Sequence, residues 1–162
     1  MRSSTPVVST SLSMDLYDQP GHLIRRAQQI AVSAFVDAVG REVTPVQYAV
    51  LRMLQDRPGM DQVTLAGEVA LDTSTTADIC ARLEAKGWIV REVLPRRQRR
   101  LVLTPAGEAE LARLVPSLVH MNEALLGRLD ADERDTFIRL LAKFVQLNND
   151  QSRAPMRSGV RG

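Results

Sequence analysis

With a single cysteine, Cys80, among 162 residues, the chain cannot close an internal disulfide, so it is not a stapled miniature fold. It is long enough for one domain with its own core, or a small domain with an extension. No apolar run approaches the roughly 18 to 20 residues of a membrane-spanning helix. No basic-then-apolar leader opens the sequence either, which makes the cytoplasm the expected location. Glycine-rich phosphate loops, a nucleophile elbow and paired catalytic carboxylates are all missing, and no enzyme is read. Zinc needs several ligands, whereas His22, His120 and Cys80 are scattered, so neither a metal nor a cofactor is expected.

Net charge is also nearly absent, at +2, but its distribution is uneven. Arg91, Arg96, Arg97, Arg99 and Arg100 share one ten-residue stretch with only Glu92, while Asp130, Asp132, Glu133 and Asp135 gather elsewhere. One basic protrusion on a near-neutral protein suits a docked reader of polyanions; a solvated charge run is the plainer alternative.

What is present is a series of helix starts. From His22 to Val39 the residues Leu23, Ala27, Ile30, Ala31, Ala34, Phe35 and Ala38 recur at spacings of three and four, and Gly40 closes this amphipathic helix. Thr44-Pro45-Val46-Gln47 combines an N-cap threonine, proline at the first helical position and glutamine at N3, and Pro58-Gly59 ends the helix it opens. A short third helix is predicted over Leu65 to Leu71 with Thr64 as cap. Asp72-Thr73-Ser74 then caps a fourth, with Thr76, Ile79, Cys80 and Leu83 on one face. Trp88 to Val93 and Arg100 to Leu103 alternate as strands, with Pro95 at the turn between them. Thr104-Pro105 opens a fifth helix through Leu125, which Pro116 should kink or divide. The last helix starts at Asp130 and carries Phe137, Leu140, Leu141, Phe144 and Val145 as its apolar stripe.

Two short helices followed by a ribbon make a winged helix-turn-helix, in a mainly α fold with a small β-wing. If Thr76, Ile79, Cys80 and Leu83 face inward, Ser74, Thr75, Ala77, Asp78 and Arg82 are left for a DNA groove. Hydroxyls can bond phosphates or base edges, Ala77 can approach a thymine methyl, and Asp78 can orient Arg82 as an i,i+4 pair. Arg96, Arg97 and Arg99 of the wing would supply phosphate contacts. Read blandly, the hydroxyls only cap the helix and the arginines stay wet. The order of the elements favours double-stranded DNA.

LTPAG after the wing, RLEAKGWI closing the fourth helix and VTPVQYAVL opening the second resemble the MarR-type transcriptional regulators over about residues 22–148. The resemblance implies a homodimer, with the terminal helices interlocked and one winged unit per subunit presented to a palindromic operator. The apolar helices at both chain ends agree, since they lack a large enough partner within a monomer. The implied division is an extended or disordered segment over 1–21, a regulator unit over 22–147 and a flexible tail over 148–162. Within the unit the winged part spans about 44–104, and dimerisation helices span about 22–40 and 105–147. Family wings carry an Asp-Arg-Arg tip; here Leu94-Pro95-Arg96-Arg97-Gln98 keeps the arginines without the aspartate, and proline rigidity is the proposed substitute.

HLIRRAQQ, DQVTLA and TPVQYAVL look like the branch that represses the breakdown of nicotinate-like and hydroxybenzoate-like acids, which implies a repressor released by a small aromatic carboxylate. On the first helix His22, Arg26, Gln29 and Ser33 form one stripe, with Arg25 as competitor. Arg26 would pair the carboxylate, His22 and Gln29 would bond ring substituents, and Gln47 or Tyr48 would form a wall. The alternatives are a solvated helix face and, for the protein as a whole, a winged-helix module for protein contacts or an architectural DNA binder without ligand control. Cys80 on the inner face is read as a small hydrophobe, and His120 as a surface or dimer-helix residue, with a pocket role as the lesser alternative.

Overall fold

Most helix starts are fixed by local chemistry that the sequence already displays. A computed structural model describes residues 15–95 and 99–157. It contains α1 (Pro20–Val39), α2 (Pro45–Asp56), α3 (Gln62–Glu68), α4 (Thr73–Ala85), β1 (Ile89–Val93), β2 (Arg99–Leu103), α5 (Pro105–Leu125) and α6 (Ala131–Leu147). At α2, Thr44 Oγ1 accepts from the Gln47 amide and Gln47 Oε1 accepts from the Thr44 amide, each at 3.2 Å. Asp130 and Glu133 repeat this reciprocal box at α6.

α3 departs from expectation. It begins at Gln62, three residues earlier than Thr64 would place it, because the Asp61 carboxylate accepts from both the Val63 and Thr64 amides at 2.9 Å. The Thr64 hydroxyl instead donates to Asp61 Oδ2 at 2.7 Å. A carboxylate serving two orphan amides outcompetes a hydroxyl that serves one. The helix also stops at Glu68, not Leu71, since Ala70 takes a left-handed φ of 54° and the Leu71 amide turns back to Ala66 O. Asp72 caps α4 in the same way, accepting from the Thr75 amide at 2.8 Å. Backbone and side-chain bonds from Thr64 and from Thr75 hold Asp61 and Asp72 below the ordinary aspartate range. Their capping stability is complete above the unfolded-state value and is lost as pH falls through the lower folded one.

The two strands pair antiparallel, Ile89 opposite Leu103 and Val93 opposite Arg99. A third segment joins them: the Gly59 amide donates to Leu101 O and the Leu101 amide to Met60 O. Pro58-Gly59 therefore does more than end α2. It turns the chain onto the ribbon, with Gly59 at φ 87° where a side chain would be strained.

Two apolar clusters hold these elements. Val50, Leu51, Leu54, Leu65, Cys80, Leu83, Ile89, Leu101 and Leu111 form the core of the winged unit. Phe35, Val43, Leu114 and Leu118 form a second, smaller cluster between α1 and α5. Because α5 contributes to both, it is the strut joining the winged unit to the outer helices. It runs through Pro116 undivided. α6 has no buried residue, and Phe137, Ile138, Leu140, Leu141, Phe144, Val145 and Leu147 are all exposed. At about 1.5–3 kcal/mol per large side chain buried, covering that face would contribute of the order of 10 kcal/mol before association costs. Among the described residues no helix is long and apolar enough to cross a membrane.

Candidate nucleic-acid interface

α4 is held by its inner face. Thr76, Cys80 and Leu83 are fully buried, and the Thr76 hydroxyl donates to Asp72 O at 2.8 Å. Burial pushes the Cys80 thiol up, so it stays a neutral packing group, as its position on the inner face implied. Ser74, Thr75, Asp78 and Arg82 are exposed on the other side and Ala77 is half-buried beside them. The Thr75 hydroxyl donates to Asp72 Oδ2 at 2.7 Å, which leaves its oxygen free to accept while its proton is engaged. No ion pair joins Asp78 to Arg82 among the described residues, so the orienting contact expected of Asp78 is not made. Both side chains stand free for a ligand.

The ribbon divides its arginines between tasks. Arg91 turns back to Glu84 of α4 at 3.1 Å and ties the ribbon to that helix. Arg100 binds Glu92 across the strands at 2.5 Å. Glu92 and Arg100 are direct partners in the ladder, so this pair braces the ribbon across its two strands. Arg99 is exposed and its guanidinium has no ion-pair partner among the described residues. Arg96 and Arg97 lie outside the described residues.

Behind these surfaces the frame is stiff. The Thr104 amide donates to Trp88 O at 3.0 Å, and the Thr104 hydroxyl donates to Gly87 O at 2.5 Å. Lys86 lies over the Trp88 ring, 4.5 Å from its centroid, while donating to Glu42 O. Glu68, buried in α3, pairs with Arg57 at the end of α2. Nothing in the sequence singles out Glu68, since glutamate at a helix end normally reads as surface.

A sequence profile of the MarR family matches residues 43–101, the stretch that holds the capped helix α4 and most of its ribbon. Over 146 residues the chain is 31% identical to the HTH-type transcriptional repressor NicR of Pseudomonas putida, covering 88% of this chain and 91% of NicR. The chain belongs to the MarR family. Two solved MarR-type structures superpose closely. PcaV from Streptomyces coelicolor, in complex with its natural ligand, is 37% identical with a TM-score of 0.78, over 83% of this chain and 96% of PcaV. BpsR of Bordetella bronchiseptica, whose DNA binding is regulated by 6-hydroxynicotinic acid, is 30% identical with a TM-score of 0.73, over 79% and 94% of the two chains.

For a MarR-type protein the α1 stripe is the other surface of interest. Arg26, Gln29 and Ser33 come together with Gln28 and Val32 around an open hollow of about 520 Å³, and Arg26 donates to Gln29 Oε1 at 2.9 Å. His22 is turned away from it, meeting Arg25 at 3.3 Å and the edge of Tyr17 at 5.8 Å. Gln47 and Tyr48 do not line the hollow. The Gln47 oxygen is committed to the Thr44 cap, and Tyr48 packs on Phe35, 6.2 Å between centroids. Phe35 lies nine residues beyond Arg26, a rise of about 13 Å. The wall expected from Gln47 and Tyr48 is therefore absent within one chain. A second hollow of about 470 Å³ lies between α1 and α5 and includes Asp37, His120 and Met121. His120 thus lines a groove, the lesser of the roles expected for it. Asp37 makes that groove a poorer seat for an anion than the one holding Arg26.

Proposed function

We propose that this protein is a homodimeric transcriptional repressor that grips a palindromic operator with two winged units and is released by a small aromatic carboxylate. The observation that carries the reading is the exposed set on α4, Ser74, Thr75, Asp78 and Arg82 with Ala77 among them, braced beside an arginine-bearing ribbon. Placed in a major groove, the α4 side chains read base edges, while Arg96, Arg97 and Arg99 set register on the backbone. The protein works by binding and not by catalysis, in the cytoplasm with the chromosome. Its partner in dimerisation is a second copy, which covers the bare apolar face of α6. The DNA immediately upstream of its own gene should give a salt-sensitive, palindrome-dependent mobility shift. Equal affinity for random DNA would leave only the architectural role.

The effector seat supported best is the α1 hollow. Arg26 supplies the charge, Gln29 holds Arg26 in place and can bond a ring substituent, and the partner subunit closes the open side. His22, one turn before Arg26 and engaged with Arg25 and Tyr17, reaches a ligand there only by swinging from them. A ligand switches such a protein only by binding the DNA-incompetent arrangement better, and a few kcal/mol of difference suffices. Titration with 6-hydroxynicotinate and 4-hydroxybenzoate should show Arg26→Ala weakening binding by roughly 10–100-fold, the worth of one charge-assisted pair, with a smaller effect for His22→Ala. Unchanged affinity in both variants would remove the effector from this face.

A further inference from the structure

The residues after α6 form a folded strap. Asn148 Nδ2 donates to Phe144 O at 2.8 Å, closing the helix end. Asn149 then bonds Met156 twice, Nδ2 donating to Met156 O and Oδ1 accepting from the Met156 amide, both at 2.9 Å. One asparagine side chain thereby imitates a strand partner and closes the loop 149–156, with Ala154, Pro155 and Met156 half-buried. The next residue reaches the winged unit: the Arg157 amide donates to Gly67 O at 3.1 Å.

That acceptor is informative. Gly67 is buried near the C-terminal end of α3, where the last carbonyls of a helix have no partner of their own. Leu65 O and Ala66 O are met by the amides of Val69 and Leu71, while the partner of Gly67 O comes from the far end of the chain. The absence of a side chain at 67 lets Arg157 lie this close. A Cβ built there would lie 3.2 Å from Arg157 Cβ and 3.5 Å from Cγ, so the arginine stem rests directly on the helix backbone.

From this geometry we infer that Asn149, Arg157 and Gly67 are positioning residues that set which operator spacing the protein accepts. The inference rests on the regulator reading above. α5 carries the chain out of the winged unit, α6 extends from it, and the strap returns the chain to α3. The winged unit already meets α1 and the loop after it through the Tyr48 contact with Phe35 and the Lys86 bond to Glu42 O, and it continues into α5; Gly67 adds an attachment on α3, through which the chain after α6 holds it as well. Without the strap, α3 and α4 can tilt about the contacts with α1 and α5; with it, the recognition helix keeps a fixed distance from the dimer axis. Half-sites are read one helical turn, or a multiple, apart, so this distance determines which palindromes fit.

Two substitutions in the full chain attack the strap from opposite sides. Asn149→Ala removes the clasp, and Gly67→Ala crowds Arg157 while favouring the helix that carries it. Hydrogen exchange should show residues 152–157 protected in the wild type and faster in both variants, with α4 and the core unchanged. On palindromes lengthened or shortened by one or two base pairs, wild-type affinity should fall roughly tenfold or more, and the variants should discriminate by less than about threefold. An unprotected wild-type strap, or variants as selective for spacing as the wild type, would overturn the proposal. A wild type that binds no palindrome would overturn the regulator reading and the spacing role with it, while the exchange data would still report whether the strap exists.

Discussion

Alanine at Gly107 is expected to destabilise the protein by about 2–4 kcal/mol, more than any other single methyl addition at the described glycines. A Cβ at that position would stand 2.0 Å from Trp88 O and 2.8 Å from its carbonyl carbon, and backbone cannot rotate away as a side-chain tip can. Gly107 is the third residue of α5, and its amide donates to the Thr104 hydroxyl at 3.1 Å. Relief therefore requires α5 and the start of β1 to separate, which loosens the Thr104 amide bond to Trp88 O and the Thr104 hydroxyl bond to Gly87 O. Overpacking costs about 1–3 kcal/mol and two bonds about 2 more, against about 1 regained from alanine's helix propensity. Gly21→Ala is the control, in a helix with open space around it, and should change stability by less than about 1 kcal/mol. Urea unfolding of the two variants checks both. A Gly107→Ala protein within about 1 kcal/mol of wild type would show that the α5 to β1 junction is soft, and with it the brace behind the wing.

This junction also explains why LTPAG is a useful signature. Threonine caps the helix, proline starts it, and glycine allows it to lie on the strand; each residue answers a local demand, which is why the fold was legible there. Signals failed where two local devices competed or where the partner was distant. Asp61 and Thr64 are both good caps three residues apart, and only their joint geometry shows the carboxylate prevailing. The pairing of Glu92 with Arg100 was not legible because it depends on strand register. Residues 148–157 read as a polar tail, since nothing local announces that Asn149 will clasp Met156 or that Arg157 will find Gly67. The stripe Arg26, Gln29 and Ser33 followed from helical spacing, whereas the wall opposite it could not, because Tyr48 is claimed by Phe35.

Replacing Arg96 and Arg97 with alanine is expected to produce the largest loss of DNA affinity, and a diagnostic one. A dimer presents two wings and would lose four guanidinium groups. At about 1 kcal/mol per exposed contact, affinity should fall by roughly 10³-fold at low salt. If each group neutralises one phosphate, the plot of log affinity against log salt should flatten by about 3.6, taking 0.9 per phosphate. Arg100 should matter less to this slope, because Glu92 already meets its charge across the ribbon. Arg82 on α4 should behave differently again. Its removal should cost about 1–3 kcal/mol on the cognate palindrome and little on random DNA, because a base contact discriminates sequence while a phosphate contact does not. Fluorescence anisotropy on both DNAs across a salt series separates the two patterns. A slope unchanged by the wing double variant would move the phosphate contacts off the ribbon, and Glu92 and Arg100 would then stiffen a wing that does not touch DNA.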